Sequence, residues 1–568
     1  MGFTSWDIAV VAVYMVGIAA LGIYQITKIK NTGDFFAGGR SFNKFLMMMH
    51  ALGTGTHADD PVGVVGAAFK HGIAGIWYTF VYLFVTPFYW IIAPLFRRSR
   101  YLTTADFFEA RFGTKLGTLY AIWGIVIFAI NMGTLLKGTG LIVNAVTLGA
   151  IPEYAAIVGM TVIFVVYGLA GGLIATVITE SVQGFLIVVM SLLLIPFGLY
   201  HLGWFSGLHQ AVGDPSKFAL TATAELKELT IWWIFAGFIA NLIGIVAQPH
   251  TMEVCSTGKT EFEGRVGFTY GNFVKRLCAI GWAFAGVIVI ALLARNLLSA
   301  QDAALLAEKR EAAFGIAIRT LLPAGATGLM FAAILAAQMS TLSAFMVAAS
   351  ALLSRNIFKK HIYPAADDKT VLMVARVAGL LIVILGVSFA FWVKGVADAL
   401  MIFWTLSTFT GLFMWFGVLW RRTNATGAWA SFTVMVIIWA IVGPIGEALQ
   451  GRFPDVSILG IYASKAQLHY LVLSYLPAGI IVLVAGSLLG KRHPKEKLDK
   501  FYTLIKTPVG REDELVEQGV EVVYAGASKG HPWELNHPKA VNILGFLLAT
   551  VIAGMFFLLL WGLTRIGA

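Results

Sequence analysis

An unusual apolar segment of the chain is MMMHALGTGTHADDPVGVVGAAF, residues 47–69. Most of it is apolar or small, as in a membrane-spanning helix, but His57, Asp59 and Asp60 lie in its middle. Pro61 follows them directly. A charged side chain at the centre of a bilayer costs about 2.5 kcal/mol or more, and charged residues inside a span usually belong to a binding site or an ion path. We therefore expect an interrupted membrane helix with a functional site at the interruption.

The composition of the whole chain is that of a membrane protein. Of its 568 residues, 58% are hydrophobic and 12% are charged, and the mean hydropathy is +0.80. Apolar runs of roughly 20 residues, the length that crosses the hydrocarbon core, recur along the chain. The formal net charge of +11 does not indicate nucleic-acid binding, because the basic residues lie in short loops between apolar runs. The two cysteines are too few for a disulfide framework.

Hydropathy predicts an all-α membrane protein with 14 transmembrane helices. The first apolar run, residues 8–24, has no basic segment before it and no clear cleavage site, which favours a retained helix over a signal peptide. The predicted spans are about 5–25, 43–69, 73–96, 116–147, 154–170, 173–200, 231–251, 266–296, 326–355, 371–394, 397–420, 425–446, 467–490 and 541–564.

Two of these spans are interrupted at corresponding places. The second contains GTGTHADDPVG, and the seventh contains AQPH at residues 247–250. Paired Gly/Pro interruptions in two halves of a chain point to a transporter binding site, which predicts a five-plus-five inverted-repeat core. The expected parts are an extra N-terminal helix with its inside loop (1–42), a first repeat (43–200), a second repeat (231–422), two further helices (423–490), a polar cytoplasmic linker (491–540) and a C-terminal helix (541–568).

Basic residues in the loops predict the orientation. Arg97 and Arg100 follow the third span, and Arg421 and Arg422 follow the eleventh. With these loops inside, both termini lie outside and the protein is a multi-pass component of the cell inner (plasma) membrane. The linker at 491–540 is charged and contains several prolines, so we expect it to be loosely folded.

The ninth span, GLMFAAILAAQMSTLSAFMVAASALLSRNIF, carries a group of hydroxyls. Ser340, Thr341 and Ser343 lie on a helix otherwise built of Ala, Leu and Met. Na⁺ is bound by several oxygen atoms, none of which has to be charged, and an unwound helix nearby supplies carbonyl oxygens. The alternative is structural, because such hydroxyls also bond back to their own helix or join neighbouring helices.

Four further stretches of the chain are distinctive: YLTTADFFEARFG from Tyr101, GGLIATVITESVQGFLIVV from Gly171, AAQMSTLSAFMVAASALLSRNI from Ala336 and GVLWRRTNATGAWAS from Gly417. Together they resemble the sodium:solute symporter family, which includes sodium/proline, sodium/glucose and sodium/galactose cotransporters. A fifth, weaker match is AQPHTMEVCSTGKTE from Ala247, which is similar to the sodium/proline branch. The resemblance covers about the first twelve spans and implies a five-plus-five helix core with extra helices at each end.

The resemblance implies a sodium site, with Na⁺ as the co-transported ion. Its expected ligands are the carbonyls of Gly53, Thr56 and Ala337 and the hydroxyls of Ser340 and Thr341.

Glu180 stands where family members usually have an aspartate. The resemblance implies a carboxylate near the path of the ion to the cytoplasm. The alternative is a glutamate that reaches water from a helix end.

The candidate substrate-binding residues surround the first interruption. On a helix, His57 and Asp60 share a face that we expect to line a central cavity, with Asp59 turned to a neighbouring helix. By resemblance to sugar transporters, Asp60 and Lys275 stand at positions near the substrate. The alternative for Lys137 is a structural ion pair with Asp59 or Asp60. The complete set is His57, Asp59, Asp60, Lys137, Lys275, Gln248 and Tyr78.

Neither the sugar nor the proline template fits residue by residue. The glutamate that sugar transporters carry early in the next helix is absent, and Tyr78 or Thr79 is offered instead. The aspartate of the proline branch corresponds to Gly55, and the basic residue usual after QPH corresponds to Glu253. The identity of the solute therefore stays open at this point.

The predicted function is a sodium-coupled secondary active symporter that imports a small polar organic solute, sugar-like, polyol-like or amino-acid-like, by alternating access. Its expected partners are the solute, sodium and membrane lipid, with no nucleic acid and no catalytic activity. One alternative is proton coupling through the buried ionisable groups. A membrane enzyme is a remote alternative, since HADDP has no second acidic motif beside it. A solute sensor is equally remote, because residues 491–539 are too few for a kinase domain.

Overall fold

The secondary structure of the described part of the chain is helical, apart from one isolated β-bridge between Phe42 and Gly258. The computed structural model describes residues 4–25, 38–221, 229–452, 468–523, 526 and 528–568. It describes the backbone alone at residues 18, 19, 21–25, 38, 166–176, 190, 336, 340 and 443–452.

The α-helices are numbered in chain order, and a π-helical segment, Leu352–Ile362, continues the fifteenth of them. They are α1 (Ser5–Gln25), α2 (Lys44–Gly55), α3 (Asp59–His71), α4 (Trp77–Phe80), α5 (Thr86–Ser99), α6 (Thr104–Phe112), α7 (Thr114–Val146), α8 (Glu153–Leu202), α9 (Trp204–Val212), α10 (Ile231–Gly244), α11 (Pro249–Ser256), α12 (Glu261–Ala294), α13 (Ala300–Glu308), α14 (Ala313–Leu321), α15 (Ala326–Ala351), α16 (Asp368–Trp392), α17 (Val396–Leu419), α18 (Ala425–Arg452), α19 (Leu468–Leu489), α20 (Lys495–Lys506), α21 (Glu512–Glu517), α22 (Pro532–Asn536) and α23 (Pro538–Leu563).

Within the described residues, nine helices are long and apolar enough to cross a membrane, or ten if the bent pair α10 and α11 is counted as one span. The prediction of an all-helical chain with many apolar spans is confirmed. The boundaries differ in three places. The predicted span 73–96 is divided into a 3₁₀ turn at Gly72–Ile76 and the helices α4 and α5. The predicted spans 154–170 and 173–200 are joined in α8. The predicted second span is divided into α2 and α3, each of which is about 20 Å long or less and too short to cross a bilayer alone.

The predicted interruption of the second span is present. Helix α2 ends at Gly55, and Thr56 is extended, with φ −128° and ψ 110°. Helix α3 begins again at Asp59, so Pro61 falls in its first turn, where a missing N–H breaks no helical hydrogen bond.

The predicted interruption of the seventh span is also present. Helix α10 ends at Gly244, a 3₁₀ turn covers Ile245–Ala247, and Gln248 is extended, with φ −71° and ψ 120°. Helix α11 starts at Pro249, at an angle of 63° to the helix before it. Both interruptions occur where the sequence places glycine or proline.

Glycines on α12 bring the first interrupted helix into backbone contact. A Cβ atom on Gly267 would lie 2.5 Å from Cβ of Met47, and one on Gly271 would lie 2.6 Å from the carbonyl oxygen of Met48. Helix α2 also packs against α8 and α15. Three long helices therefore enclose the interruption, with α12 packed too closely for any larger residue at these glycines.

The expectation of a loosely folded linker at 491–540 is wrong for its described residues. They form α20, α21 and α22, and Phe501 and Tyr502 are buried against the helical bundle. The Tyr502 hydroxyl donates to the carbonyl of Gly417 at 2.6 Å. Arg100 donates to the carbonyl of Pro508 at 2.9 Å. Charge and proline content alone suggested disorder, but the charges are satisfied by partners far away in the sequence.

A buried ion-pair network fixes this segment at its end. Glu534 is fully buried and binds Arg98 at 2.7 Å between Nη2 and Oε2. It also binds Arg265, at 3.1 Å between Nη2 and Oε2. Arg98 in turn binds Glu261 at 3.0 Å. The loops predicted to lie inside and the predicted cytoplasmic segment therefore meet on one face of the molecule.

We expect Glu534→Ala to destabilise the protein by roughly 3–5 kcal/mol, because it leaves the Arg265 guanidinium buried without its carboxylate partner. The measurement is the melting temperature of purified protein in detergent. Glu514→Ala is the matched control, since Glu514 is half-exposed and pairs with Arg511 at 3.5 Å. We expect the control to change stability by less than about 1 kcal/mol. Equal melting temperatures for the two variants would contradict the network.

Candidate functional site

A central cavity of about 70 Å³ lies between the two interrupted helices. Its wall includes six of the seven predicted substrate-binding residues, among them Tyr78, Gln248 and Lys275. The complete lining is Ala51, Thr54, Gly55, His57, Asp59, Asp60, Tyr78, Tyr82, Tyr89, Asn131, Ile245, Gln248, His250, Val254, Phe268, Asn272, Lys275, Arg276, Leu400, Phe403 and Trp404.

The two aspartates of the opening motif form the first turn of α3. His57 Nδ1 lies 2.6 Å from Asp59 Oδ1 and 3.5 Å from Asp60 Oδ2. The backbone N–H of His57 donates to Asp60 Oδ2 at 3.3 Å. Carboxylates are favourable at this end of a helix because of its partial positive charge. Asp59 was expected to face a neighbouring helix, and its backbone does lie against Gly138 of α7, but its side chain also lines the cavity.

Lys275 extends from α12 to the same cluster. Its ammonium group lies 2.8 Å from Asp60 Oδ2 and also donates to the carbonyl of Gly55, at the end of α2. The lysine therefore joins α12 to both sides of the first interruption. Removing the carboxylate of Asp60 would leave the buried ammonium group of Lys275 without its ion-pair partner.

Lys137 is the exception among the predicted substrate-binding residues, and its predicted partners are wrong. Its ammonium group binds Glu153 at 2.6 Å instead of Asp59 or Asp60, and it does not line the central cavity. Helix α7 contacts the backbone of Asp59 through the small residue Gly138. The side chain of the adjacent Lys137 points instead to the start of α8.

Aromatic rings close another part of the cavity wall. Tyr78 packs against Trp233 with 5.4 Å between ring centroids, and Trp233 meets Trp404 at 6.1 Å. Tyr82 meets Trp404 at 6.1 Å as well. Gln248, at the second interruption, lines the cavity beside these rings. The wall thus combines apolar faces with a few polar groups, as in sites for small polar solutes.

Sequence reasoning missed several polar residues of the cavity. Arg276 follows Lys275 directly and is only 1% exposed, and Asn272 lies one turn before it on α12. Asn131 on α7 and His250 on α11 also line the cavity. The stretch GNFVKRLC, residues 271–278, contained a signal, because two adjacent basic residues in an apolar span need partners, but the resemblance pointed to the lysine alone.

The predicted sodium ligands come together where α2 meets α15. The Thr341 hydroxyl lies 3.0 Å from the carbonyl of Gly53 on α2 and 3.0 Å from the carbonyl of Ala337 on its own helix. The back-bonding alternative is therefore present too, but the contact with Gly53 adds a link between two helices. The side chain of Ser340 lies outside the described residues.

Thr56 belongs to the same region. Thr56 and Ala337 line one cavity of about 20 Å³. The Thr56 hydroxyl is buried and makes no hydrogen bond to the described residues. A buried hydroxyl without a partner costs free energy, so this position has an oxygen available for an ion or a water molecule.

Glu180 is fully buried, so the alternative in which it reaches water from a helix end is wrong. Its Oε2 lies 2.7 Å from Nδ1 of His50, and Thr54 donates to its Oε1 at 3.2 Å. A Cβ atom on Gly53 would lie 2.7 Å from Cγ of Glu180. The carboxylate therefore lies directly behind the backbone of a predicted sodium ligand.

This combination defines a class of protein: a multi-pass membrane transporter with a polar cavity between two interrupted helices. A model of the sodium:solute symporter family matches residues 35–434. The chain belongs to the sodium:solute symporter family. It is thus a sodium-coupled transporter and not an enzyme, as the resemblance predicted.

Relatives with known names cover most of the chain. It is 24% identical over 456 residues to a sodium/glucose cotransporter of Vibrio parahaemolyticus, covering 75% of this chain and 83% of that one. It is 24% identical over 505 residues to a sodium/pantothenate symporter of Haemophilus influenzae, covering 84% and 95%. It is 26% identical over 467 residues to a high-affinity proline transporter of Bacillus subtilis, covering 78% and 94%.

A solved structure shows the same fold. The substrate-bound outward-open state of a Na⁺-coupled sialic acid symporter matches this structure with a TM-score of 0.69 and 17% sequence identity. The match covers 87% of this chain and 100% of that one.

Two neighbouring glycines test the geometry around α2. We expect Gly53→Ala to lower the melting temperature and to weaken any response to sodium, because the new methyl group overlaps the Glu180 side chain. Gly55→Ala is the control, since the nearest atom, Asn272 Oδ1, is 3.9 Å from the added carbon. Thermal unfolding in NaCl and in choline chloride measures both effects. Tolerance of alanine at Gly53 would contradict the packing described here.

Proposed function

We propose that this protein is a sodium-coupled symporter that imports a small polar organic solute by alternating access, with Na⁺ bound between α2 and α15. The contact of the Thr341 hydroxyl with the carbonyls of Gly53 and Ala337 carries the proposal. It supports a cluster of neutral oxygens from two helices, which is the donor set expected for Na⁺ in an interrupted-helix transporter. Thr56 and Ser340 complete the proposed set.

The coupling follows from where this cluster lies. A Na⁺ ion between α2 and α15 holds the first interrupted helix in one position, and the same helix end carries the Gly55 carbonyl that Lys275 binds. A ligand that favours one conformation raises the affinity of every other ligand that favours it. Sodium therefore orders the substrate cavity, and the membrane potential adds about 2.3 kcal/mol per charge per 100 mV to its entry.

The solute occupies the central cavity in this proposal. His57, Asp59, Asp60, Lys275 and Gln248 supply the polar contacts, and Tyr78 with its aromatic neighbours supplies apolar surface. The relatives are named for glucose, pantothenate and proline, all small polar molecules. This supports a sugar-like, polyol-like or amino-acid-like solute.

The finer architecture belongs to the same proposal. The corresponding interruptions at the α2–α3 and α10–α11 junctions support a five-plus-five inverted-repeat core within a 14-span protein. We place both termini outside the plasma membrane, and the face that holds Arg98 and Glu534 in the cytoplasm. Glu180 then lies beside the path along which sodium leaves the site.

Thr341→Ala tests the sodium site without knowledge of the solute. We expect NaCl to raise the melting temperature of the purified protein relative to choline chloride, and the variant to need at least tenfold more sodium for half of the effect, since it loses a ligand oxygen. Thr134→Ala is the control, because the Thr134 hydroxyl bonds back to the Ile130 carbonyl of its own helix at 2.8 Å. An identical sodium response in both variants would contradict the assigned site. Stabilisation that follows pH but not sodium would favour proton coupling.

A further inference from the structure

Arg276 is a buried cation that the proposed mechanism does not yet use. It is 1% exposed and lines the central cavity. Its Nη2 lies 3.5 Å from Asn272 Oδ1, at the limit of a hydrogen bond, and its guanidinium lies over the ring of Tyr82, 5.3 Å from the centroid. Its Nε and Nη1 are buried and make no hydrogen bond to the described residues.

The carboxylates of the cavity are held by other groups. Asp60 is bound by Lys275 at 2.8 Å, and Asp59 is bound by His57 at 2.6 Å. In the described part of the chain, no carboxylate oxygen lies within ion-pair distance of the Arg276 guanidinium. The arginine therefore stands apart from the ion pairs that hold the interruption together.

A buried arginine without a carboxylate is costly, because its desolvation is not offset by a partner. The guanidinium is planar, always charged and carries parallel N–H donors at the spacing of the two oxygens of a carboxylate. An arginine of this kind inside a binding cavity is complementary to an anionic group of the ligand.

We propose that the transported solute carries a carboxylate, which the Arg276 guanidinium binds as a fork, through Nη2–H together with the unpartnered Nε–H or Nη1–H. The proposal rests on the proposed function and narrows its solute class from small polar solutes in general to those that carry a carboxylate. Lys275 is not the proposed partner of the solute's carboxylate, because its ammonium group already binds Asp60 and the Gly55 carbonyl.

A second unsatisfied atom indicates what else the solute contains. Asp59 Oδ2 is buried and makes no hydrogen bond to the described residues, although Oδ1 of the same side chain is bound by His57. A carboxylate oxygen accepts hydrogen bonds, so the complementary group on the solute is a hydroxyl or an ammonium. A hydroxy acid, a sugar acid or an amino acid supplies both groups.

The test is a thermal-shift library of solutes arranged in pairs that differ only in a carboxylate, measured in saturating NaCl. The library includes glucuronate with glucose, pantothenate with pantothenol, and proline with prolinamide. We expect stabilising solutes among the carboxylates and none among their partners. For the best carboxylate, Arg276→Lys should raise Kd roughly tenfold, and Arg276→Met roughly a hundredfold or more, as the fork and then the charge are lost.

The melting temperature of the protein without solute distinguishes a binding role of Arg276 from a structural one. Because Arg276 has no carboxylate partner, we expect Arg276→Met to leave the melting temperature without solute unchanged or higher, and the sodium response intact. Arg295→Met is the matched control. Arg295 donates to the carbonyls of Leu202 and Gly207 and lies outside the cavity lining, so its loss should leave Kd unchanged.

Three outcomes would overturn the proposal: stabilisation only by the partners that lack the carboxylate, an absence of stabilisation by every carboxylate, or unchanged carboxylate affinity in Arg276→Met. The change in melting temperature that NaCl causes without any solute separates this failure from a failure of the proposed function. If sodium still stabilises the protein but no carboxylate solute does, the carboxylate proposal alone is rejected. A missing sodium response rejects the symporter mechanism as well.

Discussion

The interruption between α2 and α3 is the constraint on which the rest of the structure depends. An opened helix exposes backbone N–H and C=O groups at a depth where no bulk water satisfies them. Here other helices supply the partners: Gln338 accepts from the N–H of Ala58 at 3.2 Å, Thr341 donates to the carbonyl of Gly53, and Lys275 donates to the last carbonyl of α2. Helices α12 and α15 are thus joined to the interruption by polar bonds rather than by apolar packing alone.

The same interruption lies between the proposed sodium site and the central cavity, and it also links them. The oxygens proposed for sodium lie on the α15 side of α2, and the charged cavity lies on the α12 side. In the chain, the short segment from Gly53 to Asp60 connects the proposed sodium site to the charged cavity. Coupling between ion and solute therefore needs no long path through the protein. Any movement of α2 relative to α15 changes the position of the Gly55 carbonyl and with it the Lys275–Asp60 pair. The buried Glu180 behind Gly53 restricts how α2 can move.

Much of this architecture could be predicted from the sequence, because glycine and proline inside apolar runs have local consequences. They mark both interruptions, and the resemblance identifies oxygens on two helices that the structure brings into contact. The rest depends on contacts between distant segments. Lys137 was matched with the wrong acid since a span pattern does not say which neighbour a long side chain reaches. Arg276 was missed beside Lys275, and the pairing of Glu534 with Arg98 turned a polar segment into a docked one.

The central claim is that sodium joins the first interrupted helix to α15, and hydrogen–deuterium exchange of the purified protein tests it most directly. Exchange reports local opening of backbone hydrogen bonds, so ordering by a ligand appears as slower exchange in the segments that it joins. We expect NaCl, compared with choline chloride, to slow exchange in peptides covering residues 50–62 and 334–345, and Thr341→Ala to abolish both effects together. Slower exchange in neither segment, or in only one of them, would rule out a sodium ion bound between the two helices.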